Sequence, residues 1–199
     1  MRYLTTASFA ALLAASGAHA QNEIQTSDTW FTDGQAAVEA ALAREDNTNR
    51  ALNVIMLVSD GNGVGTNYAS RIFAGQQAGG HGDEYVQPQE AFPHLALVKT
   101  YNTNAQTPDS SGTATAFMSG VKTKAGVVGV NENVNRGDCS TMPGNEIESL
   151  NDILAAAGKA TGIVSTARIT HATPSAAYAS SADRNFEEAV PEGCTEQDD

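Results

Sequence analysis

Three continuous apolar runs punctuate the chain: Asn53–Ser59, Leu95–Tyr101 and Thr161–Thr166. Each is short and bounded by polar residues or glycine. Such a run, with no polar alternation, is how a strand buried on both faces of a parallel sheet reads. Helical patterns lie between the runs. An Ala-rich stretch of high helix propensity covers residues 35–44 and ends at Asn47–Asn49. Further helices are predicted over 64–77, from Ser110 to Gly120, and over 146–157, the last stopped by Gly158. Residues 21–32 read as an irregular leader. Strands alternating with helices predict an α/β fold with a mainly parallel central sheet. The polar stretch from Glu187 to Asp199 closes no element, so the sheet is expected to be incomplete within these residues. No internal repeat, low-complexity tract or interdomain linker interrupts residues 21–199.

Composition adds a compartment to this picture. Met1-Arg2 gives a minimal positive start, residues 4–15 are largely apolar, and Ala18-His19-Ala20 places small residues where a signal peptidase reads. The run is too short to span a bilayer. Residues 1–20 are therefore expected to be a cleaved export signal, leaving a periplasmic or secreted chain with no membrane span. Export makes the two cysteines, Cys139 and Cys194, candidates for a disulfide, the alternative being two free thiols. A bridge across their separation of 55 residues is worth about 4 kcal/mol in the chain-entropy treatment. The remainder of the 199 residues is of globular composition, 41% hydrophobic. A formal net charge of −12 disfavours nucleic acid and anionic membranes as partners.

Three polar clusters could carry chemistry. The first is Asp109-Ser110-Ser111-Gly112-Thr113-Ala114-Thr115-Ala116, approached through Pro108. A helix beginning at Ser110 presents unpaired N–H groups and positive dipole, a setting in which a serine hydroxyl could attack a bound phosphate. Simple helix capping by Asp109 or Ser110 is the commoner use of such residues. In the second cluster, Asp60 ends the first apolar run and is followed by Gly61 and Gly63. Ligand sites of open α/β sheets lie beyond the carboxyl ends of strands, and a carboxylate there suits a cation. A turn aspartate is the alternative. The glycines do not form a dinucleotide fingerprint, because Thr66 stands where the third would be, and no P-loop is present. The third cluster follows the last apolar run and holds His171, Thr173 and Arg184. A guanidinium can hold two phosphate oxygens at once. Taken singly, each of the three has an ordinary loop or surface reading.

Together these segments resemble the alkaline phosphatase family. The resemblance is carried by Val58-Ser59-Asp60-Gly61-Asn62-Gly63, by Pro108 through Ala116, by Gly162-Ile163-Val164, by Thr170 through Tyr178 and by Ser181-Ala182-Asp183-Arg184. They occur in family order, and the Asp-Ser-x-Gly-Thr-Ala-Thr-Ala stretch is highly specific. The resemblance implies a three-layer sandwich, of which residues 21–199 form the N-terminal part of one catalytic domain. It implies metal-dependent hydrolysis of phosphate monoesters through a phosphoserine at Ser110, with two zinc ions and one magnesium. Asp60 matches the aspartate that bridges a zinc and the magnesium, Ser110 the nucleophile and zinc ligand, and Thr173 a magnesium ligand. His171 falls where members carry Asp or His, beside the third metal. Arg184 matches the arginine that clamps phosphate. Small phosphomonoesters and inorganic phosphate are the implied ligands, a homodimer the implied full-length assembly, and a disulfide near Cys139 and Cys194 is usual.

The physical logic is consistent with that resemblance. A serine hydroxyl is a poor nucleophile near neutral pH, and metal ions can activate it and neutralise the leaving oxygen. The remaining family ligands, chiefly His and Asp with one Glu, lie C-terminal to the matched region. The chain's histidines are His19, His81, His94 and His171, and neither His81 nor His94 lies in a matched motif. A closed zinc site needs about four ligands, so the 199-residue polypeptide is expected to be inactive or nearly so. The competing readings are a non-catalytic metal- or anion-binding module, a related phosphodiesterase or sulfatase, and a serine esterase, for which the G-x-S-x-G elbow is missing.

Overall fold

The structure, a computed structural model, describes residues 23–192 and 194. The expected export signal, residues 1–20, lies outside the described residues. The chain divides into two compact units between Ile55 and Met56.

In the first unit α1 spans Glu23–Ser27 and α2 spans Thr29–Leu42. From Glu23 onward the expected irregular leader is thus mostly helical. Asp28 is the reason: its side chain accepts from the N–H groups of Trp30 and Phe31, so helix α2 begins there and runs through Gly34. The Ala-rich stretch alone places the start at Gln35, just after Asp33-Gly34. The cap at Asp28, well before Gln35, satisfies orphan amides that would otherwise be left unpaired.

In the second unit α3 spans Val64–Gln77, as the pattern predicts. Helix α4 spans Ser110–Ser119, and Gly120 follows it at φ 77°, a left-handed conformation that only glycine adopts cheaply. Helix α5 spans Leu150–Ala156 and is shorter than expected. Ser149 and Asp152 form a reciprocal capping box that sets its start, while Glu146 is drawn instead into a bridge with Val130. A one-turn helix, α6, covers Ala172–Ser175.

Two small apolar clusters hold this unit. Val127, Val130, Val134, Met142 and Ala182 form one, flanked by Cys139 and Phe186. Cys139 and Cys194 are joined in a disulfide, with Cα atoms 5.4 Å apart. Ala114, Val128 and Ala176 form the other cluster. Its residues are small, so α6 can approach α4 closely, and this contact sets the geometry of the site.

The three apolar runs form no strands among the described residues. Among the described residues, β-type pairing is limited to the isolated bridges Asn102–Ala105, Val128–Ser181 and Val130–Glu146. Leu57, Leu97 and Val164 are 86%, 102% and 101% exposed. A parallel strand requires a hydrogen-bonded neighbour at its edge and a covering layer on each face. Among the described residues these segments have neither.

Candidate functional site

Asp60 lies at the turn between the first apolar run and α3, beside Gly61 at φ 69°. Its carboxylate gathers two hydroxyls from distant parts of the chain. Ser110 Oγ donates to Oδ1 at 3.0 Å and approaches Oδ2 at 3.2 Å, and Thr173 Oγ1 donates to Oδ2 at 2.8 Å. The Thr173 bond is the main cause that holds the Asp60 carboxyl below the ordinary range. Burial opposes it, and the Ser110 bond with the positive charge of Arg184 and the nearby His171 ring completes the lowering.

Ser110 is the first residue of α4, and Asp109 is its N-cap. The cap carboxylate has more partners than capping needs. Oδ1 accepts from the Gly112 N–H at 3.0 Å and from Asn102 Nδ2 at 2.9 Å. Oδ2 accepts from Ser111 Oγ at 2.5 Å, from the Gly126 N–H at 2.9 Å and from Arg184 Nη1 at 3.2 Å. Burial is the largest single influence on Asp109 and raises its pKa. The bonds from Ser111, Gly112, Asn102 and Arg184 outweigh it and leave the group lowered.

Arg184 is fixed at both ends. Its backbone N–H donates to the Gly126 carbonyl at 2.8 Å, so Gly126 serves Asp109 through its N–H and Arg184 through its carbonyl. Its Nη2 stands 3.2 Å from His171 Nε2. His171 caps α6, its Nδ1 lying 3.4 Å from the Thr173 N–H. A neutral imidazole has one acceptor nitrogen, so only one of these two contacts is a hydrogen bond at a time. The shorter contact to Arg184 is the better placed. Beside Arg184, Asp183 receives two bonds from Arg136, at 2.9 and 3.1 Å, which tie the segment around Asp183 to the loop before Cys139.

All five residues singled out in the sequence therefore converge. Asp60, Ser110 and Thr173 form one hydroxyl–carboxylate group, and Arg184 and His171 adjoin it through Asp109 and α6. His81 and His94 make no contact with this group; the His81 N–H donates to Glu84. Sequence reasoning treated Asp109 as a cap and did not single out Asn102, Ser111 or Gly126. Only a fold could show that the Asp109 carboxylate faces an arginine 75 residues away.

The oxygen donors of Asp60 and Thr173 fit a hard cation such as magnesium, which binds through one or two carboxylates and keeps several waters. They do not complete a zinc site. Among the described residues no group of three or more His, Cys, Asp and Glu side chains is gathered as metal ligands would be.

The family model described as alkaline phosphatase matches residues 51–198. The human tissue-nonspecific alkaline phosphatase isozyme is 48% identical over 173 residues, 83% of this chain and 33% of that protein. Alkaline phosphatase of Gadus morhua is 44% identical, covering 83% and 36% of the two chains. The chain thus spans about a third of the length of the curated relatives it matches. Among solved structures, alkaline phosphatase from the Antarctic bacterium TAB5 has a TM-score of 0.51 at 30% identity, over 66% of this chain and 33% of that one. A variant of it with a histidine replaced by aspartate holds magnesium in its M3 site. The Thermus thermophilus enzyme gives a TM-score of 0.53 at 27% identity, over 66% and 25%. These relatives share the α/β class expected of the sequence. With the family model covering most of the chain and curated relatives nearly half identical to it, this chain belongs to the alkaline phosphatase family.

Proposed function

We propose that the protein hydrolyses phosphate monoesters through a phosphoserine formed on Ser110, within a three-layer sandwich whose mainly parallel sheet is completed outside the described residues. The observation that carries this reading is the single hydrogen-bonded group formed by Asp60, Ser110 and Thr173. The hydroxyl stands at the start of a ten-residue helix whose N-cap, Asp109, accepts a hydrogen bond from Arg184.

The residues divide the work as follows. The substrate phosphate lies at the N-terminus of α4, where the first-turn amides and the helix dipole favour negative charge. Arg184 holds two of its oxygens, and Asp109 holds Arg184. Ser110 Oγ attacks phosphorus in line with the leaving oxygen. A P–O bond to serine forms as the bond to the leaving group breaks; the serine hydroxyl releases its proton to solvent and the leaving oxygen takes one up from solvent. Water then attacks the phosphoserine from the opposite side and releases inorganic phosphate, so two inversions give net retention. Asp60 orients the attacking hydroxyl, and its lowered pKa makes it a weaker proton acceptor than an ordinary carboxylate. Activation therefore needs more than Asp60.

Asp60 and Thr173 would hold magnesium, with His171 beside it. Asp60 and Ser110 would supply part of the donors of zinc. Such cations, two zinc and one magnesium by family resemblance, would supply positive charge to activate the serine hydroxyl and neutralise the departing oxygen. The whole protein is expected to act as an exported homodimer on small phosphomonoesters. No described helix is long and apolar enough to cross a membrane.

The test is phosphoserine trapping at low pH with labelled inorganic phosphate, on protein expressed from its complete reading frame. Label on the peptide containing Ser110, lost in Ser110→Ala, supports the reading. Phosphate binding without any label would replace it with a non-catalytic anion-binding module. Preferential turnover of diesters or sulfate esters would move it to the neighbouring hydrolase classes.

A further inference from the structure

Asn102 is 3% exposed, and its side-chain amide is directed at Asp109. A tight turn fixes its backbone: its N–H donates to the Ala105 carbonyl at 2.9 Å, and the Ala105 N–H returns to the Asn102 carbonyl at 3.2 Å. This turn is complete without the side chain. The amide instead reaches across to Asp109 Oδ1 at 2.9 Å, an oxygen that the Gly112 N–H also holds at 3.0 Å. The same side chain fills the space above Gly112, where an added Cβ would lie 2.5 Å from Asn102 Oδ1. Glycine at 112 is therefore what admits Asn102 to the first turn of α4.

The consequence falls on the other carboxylate oxygen. The terminal torsion of an aspartate is broad and roughly two-fold, so the carboxylate plane is not set by rotamer preference alone. Two donors on Oδ1, one from the helix and one from Asn102, fix that plane. Oδ2 is then directed at Ser111, Gly126 and the Arg184 guanidinium. The contact to Arg184 is 3.2 Å, longer than a good charge-assisted bond, so its direction depends on how firmly Asp109 is held. We propose that Asn102 is a positioning residue for the phosphate-binding guanidinium of Arg184, acting through Asp109. The proposal rests on the phosphatase reading above and assigns Asn102 no contact with substrate.

A double-mutant cycle tests it on protein expressed from the complete reading frame. Wild type, Asn102→Ala, Arg184→Ala and the double variant are compared for kcat, KM and inhibition by inorganic phosphate, with melting temperatures as a check on folding. Asn102→Ala is expected to lower kcat/KM and weaken phosphate inhibition by about 10- to 100-fold. In the Arg184→Ala background the same change is expected to cost less than about twofold, because the group it positions is gone. Equal losses in both backgrounds, or unchanged phosphate inhibition, overturn the proposal. Asn102→Asp retains the side-chain volume beside Gly112 and removes the donor, so it carries the same test if the alanine variant does not fold. A protein that folds with neither substitution would assign Asn102 to the fold alone and overturn the role. Absence of phosphoserine at Ser110 in wild type would sink the phosphatase reading and this proposal with it. Normal phosphoserine with additive Asn102 losses overturns the positioning role only.

Discussion

Asp109 shows how much one side chain can be asked to do. It caps α4, receives Ser111 and Gly126, and holds Arg184. Asp109→Asn keeps the size but removes the charge and places an amide where an acceptor is needed. It is expected to weaken inhibition by inorganic phosphate more than tenfold, measured from KM and Ki, because Arg184 loses its charged partner. Arg184→Lys keeps the charge and loses the planar fork. Its expected cost is about 2 kcal/mol in kcat/KM, close to a 30-fold loss. Both effects should be smaller at Asp183, whose partner Arg136 is the more exposed of that pair.

The elements that carry these side chains depend on small residues and caps. Helix α6 packs on α4 through Ala114 and Ala176, so a larger side chain at either position would push Thr173 away from Asp60. Ala176→Val is expected to destabilise by about 1–3 kcal/mol, read as a fall in urea midpoint at constant m. Ser149 illustrates a cap with a second duty. Its Oγ accepts the Asp152 N–H and donates to the Ala177 carbonyl at 2.9 Å, in a buried position. Ser149→Ala should cost about 1–2 kcal/mol, loosening α5 and the end of α6 together. Hydrogen exchange at Asp152 and Tyr178 would show both ends opening, whereas a pure capping loss would affect Asp152 alone.

For the molecule as a whole, two further ties bear on stability around the site. The disulfide between Cys139 and Cys194 closes a separation of 55 residues, and its reduction is expected to cost about 4 kcal/mol, seen as a lower melting temperature in reductant. The other tie is Glu187, which accepts two bonds from Arg168, both at 2.7 Å, and one from the Thr170 hydroxyl. These partners, Arg168 first, lower its pKa from 4.5 to about 2. A depressed carboxyl stabilises the fold above its unfolded value. Its contribution is therefore complete above about pH 4.5 and is lost as pH falls toward 2. Glu187→Gln should flatten the pH dependence of stability across that window and leave it unchanged near neutrality. An unaltered slope between pH 4.5 and 2 would show that Glu187 makes no such contribution.

Local chemistry was legible along the chain. Helix α3 and the start of α4 follow from glycine placement, apolar spacing and the Asp109 cap, because those signals act within a few residues. Asp60, Ser110, His171, Thr173 and Arg184 could each be picked out by residue type and motif. What the linear order could not show was their joining, since Asp60 and Thr173 meet across 113 residues through one hydrogen bond. Nor could it show that Asp28 starts α2, ahead of the Ala-rich stretch that follows Gly34. The three apolar runs mark the opposite case. Their hydrophobicity states that they are to be buried, but pairing and covering are made by other segments, and among the described residues no partner strand is present. Periodicity and caps are short-range and fix helices; the meeting of hydroxyl, carboxylate and guanidinium is long-range and depends on how Ala114, Val128 and Ala176 pack.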